Sequence, residues 1–86
     1  MNKHRYLTEN EIDQMAEAAF NAYMMSAERG AAVRAAAEEG WEILGVKPRR
    51  SAVLVAYQRS MVMYEAAKMA AKAEGARRRR QEEERA

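Results

Sequence analysis

The residues able to do chemistry in this 86-residue chain are few and far apart. A single histidine, His4, stands in a polar start, and Ser26, Ser51 and Ser60 have no evident base. Nucleophilic catalysis needs a hydroxyl or thiol beside a general base, and phosphate chemistry commonly needs a glycine-rich loop; neither pattern occurs, nor do paired carboxylates at a catalytic spacing. With no cysteine and one histidine, the chain offers no ligand cluster for a metal and no disulfide. The expectation is a protein that is not an enzyme and needs neither metal nor cofactor.

Binding chemistry remains. Arg49 and Arg50 in "KPRR", with the run Arg77, Arg78, Arg79 and Arg80, are the densest cations and could contact phosphates with salt-dependent affinity. Glu38, Glu39 and Glu42 form an acidic group that could dock on a basic groove, such as one normally occupied by nucleic acid. Val55, Val62 and Met69 are apolar residues for a second subunit or a target.

The segment "LGVKPRRSAVLVAYQRS" invites a test for a helix-turn-helix. That motif wants a small residue four positions before the turn glycine and a buried aliphatic five or six after it. Counted from Gly45, these positions hold Trp41 and Arg50 or Ser51, so the geometry-bearing residues do not match. A small DNA-binding regulator using "KPRR" and the arginine run is the alternative reading, not the leading one.

The elements that must hold these groups are helical. Alanine, glutamate, arginine and methionine dominate, and there is one proline, so helix propensity is high nearly throughout. "TENE" places Glu11 three residues after Thr8, a capping box that opens a first helix over about 8–29. Its apolar face is Ile12, Ala16, Ala19 and Tyr23, flanked by Met15, Phe20 and Ala27. Gly30 either ends this helix in a left-handed turn or is crossed by one long helix at a cost of about 1 kcal/mol; the break is the expectation. A second helix then spans about 31–44, its seam of small residues including Gly40 and its largest apolar residue, Trp41, a core anchor. Gly45 ends it, and a last helix runs over about 49–74 from Pro48. Leu54, Tyr57, Met61 and Tyr64 form one face of this helix for the intrachain core, while Val55, Val62, Ala66 and Met69 lie nearly opposite. A second apolar face of that length needs a second partner.

Charge is polarised along the chain. Residues 8–45 carry two arginines against eight acids, a net −6, and residues 46–75 carry six cations against two acids, a net +4. Pairing of helices within or between subunits is the plain explanation. Residues 75–86, "GARRRRQEEERA", hold no apolar residue larger than alanine and read as a frayed, solvated tail; Arg78 with Glu82, Arg79 with Glu83 and Arg80 with Glu84 have i,i+4 spacing in the weaker order. Residues 1–7 read as a flexible start without the apolar core of a signal peptide, and no run is long enough to span a bilayer, so no membrane is involved and a cytoplasmic location is expected.

Together these features imply an all-α protein: a small antiparallel bundle of two to three helices with a long C-terminal helix, completed by homodimerisation. They point to a non-enzymatic, protein-binding regulator or inhibitor that occupies a surface of a larger complex. Phage-encoded inhibitors of host defence, including anti-CRISPR proteins, share this size and style by analogy alone.

Overall fold

The computed structural model describes residues 5–85. Among them are three helices and no strand: α1 (Glu9–Ser26), α2 (Arg29–Leu44) and α3 (Arg50–Arg85). All three pack against one another. Residues 1–4, which include His4 and most of the start expected to be flexible, lie outside the described residues, as does Ala86.

The capping box forms as its spacing implies. The Glu11 amide donates to Thr8 Oγ1 at 3.2 Å, and the Thr8 amide donates to Glu11 Oε1 at 2.9 Å, so two orphan amides at the helix start are satisfied. Arg5 then grips the Glu11 carboxylate with two bonds of 2.7 Å, and Leu7 packs against the core. Arg5–Leu7 are therefore anchored, contrary to the expectation of a loose start.

The break between the first two helices falls three residues before Gly30. Ala27 adopts the left-handed conformation, φ 57°, ψ 24°, and its amide donates to Tyr23 O at 2.7 Å. Ser26 is the local cause: its Oγ donates to Ala22 O at 2.9 Å and accepts from the Glu28 amide at 3.2 Å. A side chain thus takes one carbonyl from the last turn and one amide from the chain beyond it. Gly30 lies inside the first turn of α2, where an added Cβ would meet nothing within 4 Å among the described residues. At the other end Gly45 does close α2, with φ 73° and its amide on Trp41 O at 2.7 Å.

The core is made of small residues. Met15, Ala16 and Ala19 of α1, Ala32 and Ala36 of α2, and Val53 and Ala56 of α3 are buried, with Ser60 also fully covered. Alanines bring helix axes close, and Gly40 shows how close: a Cβ there would lie 2.9 Å from both Met15 Cε and Pro48 Cγ. Pro48 is therefore buried packing and precedes the helix that starts at Arg50. The Ser60 hydroxyl donates to Tyr57 O at 2.6 Å, which satisfies a buried polar group within its own helix.

Two sequence expectations about the core fail here. Trp41 is 55 % exposed, so it is no core anchor; it follows the buried Gly40 and is turned about 100° away from it. Of the core face expected for α3, Tyr57, Met61 and Tyr64 are half-buried but Leu54 is exposed, and the residues fully covered are Val53, Ala56 and Ser60. The apolar density of "AVLVAY" hid which of its residues point inward.

Helix α3 also outruns its expected end. It passes through Gly75 without a break and continues to Arg85, so the tail is helical. Glu74 pairs with Arg77 at 3.8 Å and with Arg78 at 3.4 Å, the favourable order of acid before base. The last ring contact to the body is Tyr64, packed edge to face on Tyr23 with centroids 4.9 Å apart. From Glu65 to Arg85 every residue except Gly75 is exposed, which leaves about 30 Å of helix projecting from the body. The Cα radius of gyration, 17.3 Å, exceeds the roughly 12 Å of a compact domain of this length.

Candidate protein-binding surface

The acidic group lies on α2, beside an open groove. A groove of about 640 Å³ is bordered by Glu38, Glu39 and Glu42 with Trp41 beside them. Ala18 of α1 and Ala35, Ala37 and Pro48 supply its apolar lining, and Arg34 and Lys47 stand at its margin. Helical spacing explains the grouping: Arg34, Glu38 and Glu42 are four apart on one stripe, and Trp41 is three beyond Glu38. Because Gly40 sits tightly on Met15 and Pro48, the helix presenting these side chains is held close to its support.

Charges elsewhere on the acidic half are partly used within the fold. Arg59 of α3 reaches α1, bonding Asp13 at 2.9 Å and pairing with Glu9, and Arg5 takes Glu11. Intrachain pairing thus accounts for Glu9, Glu11 and Asp13. Among the described residues Glu38, Glu39 and Glu42 form no ion pair, so their field is open to a partner. An exposed indole beside three carboxylates, with Arg34 and Lys47 at the margin, suits a Lys or Arg side chain, which gains both Coulomb attraction and the ring face.

The sequence groups the three acids but did not show that Trp41 borders the same groove. The available signal was the three-residue spacing between Glu38 and Trp41, which places a large ring on the acidic side of α2.

The alternative nucleic-acid residues are not brought together. About 40 Å of helix separates Arg50 from Arg77. Arg49 lies over the Tyr6 ring at 4.1 Å, which engages its guanidinium in a cation–π contact. In the helical tail, Arg77, Arg78, Arg79 and Arg80 are each turned about 100° from the last, so they surround the helix and form no single stripe. At the motif positions Trp41, Arg50 and Ser51 are all exposed, so the crossing that a helix-turn-helix buries is not built here.

The three apolar residues expected to meet a partner fall in two environments. Val55, 37 % exposed, borders a small pocket of about 170 Å³ with Tyr6, Leu7 and Ile12. Val62 and Met69 are each 70 % exposed, at and beyond the point where α3 leaves the body. Met24, Met25 and Met63 are exposed near the Tyr23–Tyr64 contact, giving that end an adaptable apolar character.

Among the described residues no group of three or more His, Cys, Asp or Glu is arranged to hold a metal ion, and no helix is long and apolar enough to cross a membrane. In comparisons with known proteins, no family model, no curated protein and no solved structure matches this chain.

Proposed function

We propose that this chain is a non-enzymatic regulator or inhibitor that acts in the cytoplasm by occupying a basic protein surface on a larger complex, of the kind that nucleic acid normally fills. The observation that carries the reading is the α2 groove, where an exposed Trp41 stands among Glu38, Glu39 and Glu42, which form no ion pair among the described residues. Binding energy concentrates on aromatic anchors surrounded by weaker polar contacts, and the carboxylates raise association rate and select a cationic partner. On this reading the helices run up, down and up as an antiparallel bundle, and the chain works as a homodimer joined through the apolar face of α3.

Affinity capture from native host extract, identified by mass spectrometry, tests it. The parent chain should retain a partner with a Lys- or Arg-rich surface, and both Trp41→Ala and the triple Glu38→Lys, Glu39→Lys, Glu42→Lys should lose it with helical circular dichroism unchanged. Loss of activity only in Arg49→Ala, Arg50→Ala, with a salt-sensitive gel shift of duplex DNA by the parent, would replace this reading with a DNA-binding regulator.

A further inference from the structure

Beyond Tyr64 every described residue of α3 except Gly75 is exposed, and an apolar seam that begins just before this point runs along it. Val62, Ala66, Met69, Ala73 and Ala76 follow one another at alternating spacings of four and three, the heptad pattern of a helix that pairs with a helix. The seam lies well round the helix from Tyr57, Ser60 and Tyr64, which face the core. We propose that this seam joins two copies of the chain through an antiparallel pair of α3 projections, centred near Ala71. The proposal deepens the dimer reading above and rests on it only in taking a second copy as the occupant.

Charge selects the orientation and register. With the two helices antiparallel, Met69 of one copy faces Ala73 of the other, Ala66 faces Ala76, and Val62 meets the aliphatic stem of Arg80. The flanking positions then set Glu65 of each copy beside Arg79 of the other, an attraction made twice by symmetry, against one Lys72 to Lys72 contact at the axis. Sliding half the repeat toward the C-terminus replaces both attractions by Lys72 against Arg79. Sliding the same step the other way sets Glu65 beside Lys72 of the other copy but seats Ala76 on Arg59, whose guanidinium is already held by Glu9 and Asp13 of α1. A parallel pair stacks Arg80 on Arg80 and Glu83 on Glu83 in the seam and sets Lys72 against Arg77, with only Arg79 and Glu84 attracting. One arrangement therefore satisfies both the apolar seam and the charges.

Sedimentation of the full chain at micromolar concentration tests the proposal through charge exchange. The parent should be a dimer. Glu65→Arg alone and Arg79→Glu alone should each weaken association by about tenfold or more, and the double variant Glu65→Arg, Arg79→Glu should recover parental association. Both residues are exposed and remote from the core, so the fold stays intact, as circular dichroism would verify. Since the chain has no cysteine, Ala70→Cys reports proximity directly: a short bismaleimide should join two copies at this position, whereas Ala66→Cys should be joined only in a parallel pair. A helical parent that remains monomeric, a double variant as weak as its parents, or cross-linking at Ala66 in preference to Ala70 would each overturn the proposal. Groove binding by the same variants is read separately through Trp41, so a failed register leaves the surface-binding reading standing, and a failed groove leaves the register test intact.

Discussion

At the scale of single residues, Gly40 bears the tightest constraint on the fold. A methyl there meets the Pro48 ring and Met15 Cε at 2.9 Å, and the proline ring has little freedom to withdraw. Overpacking of this kind costs about 1–3 kcal/mol, and the better helix propensity of alanine returns about 1 kcal/mol. Gly40→Ala should therefore lose about 1 kcal/mol net and lower the Tm in thermal unfolding followed by circular dichroism. The sequence already placed Gly40 in a seam of small residues, because spacing alone reveals a face. It could not show which small residue touches a neighbour, since Pro48 arrives from outside the helix. The same limit explains Gly30: a glycine near a helix end is the usual signal for a left-handed turn, but Ser26 supplied both hydrogen bonds needed to break the helix at Ala27. Trp41 was misplaced because its size argued for burial, whereas its direction is set by the glycine before it.

Among the elements, the start of α1 carries a contact that depends on pH. The Glu11 carboxylate is held at about 2, below its ordinary 4.5, by the two bonds from Arg5 first and then by the Thr8 amide. A carboxylate depressed in the folded chain stabilises it above the unfolded pKa, and that contribution fades as pH falls from about 4.5 toward about 2. The parent should lose thermal stability over this window relative to Glu11→Gln, which is already less stable at neutral pH and lacks this titration; Tm against pH for the two chains checks it. The capping box was fully legible in "TENE" because all its partners lie within four residues. The Arg5 clamp was not, since nothing local told that the chain before Thr8 folds back. In α3 the sequence revealed two apolar faces but gave the wrong end: Gly75 and the arginine run read as a stop, while Glu74 with Arg77 and Arg78 carries the helix across.

For the molecule as a whole, extents of 68 × 23 × 17 Å divide it into a packed body ending near Tyr64 and a projecting helix. Isolated helices of this length are marginal in water, so protection of the projection should depend on association. Hydrogen exchange should show residues of the core slow at any concentration, and residues 65–85 fast when dilute and slower as concentration rises; equal rates at all concentrations would mean that nothing in solution covers the projection. The all-α class was legible from composition, because propensity sums over many residues. The elongated shape was not, because it depends on where contacts cease.

The body's alanines have a thermal consequence as well. The heat-capacity change on unfolding follows the apolar area brought into water, and Ala16, Ala19, Ala32, Ala36 and Ala56 each hide little of it compared with leucine or phenylalanine. The projecting helix hides less still. Unfolding of one chain should therefore carry a heat-capacity increment per residue below the usual 12–15 cal/mol/K, roughly speaking, which flattens the dependence of stability on temperature. A core that gains by bringing backbones together rather than by enclosing large side chains responds gently to both warming and cooling.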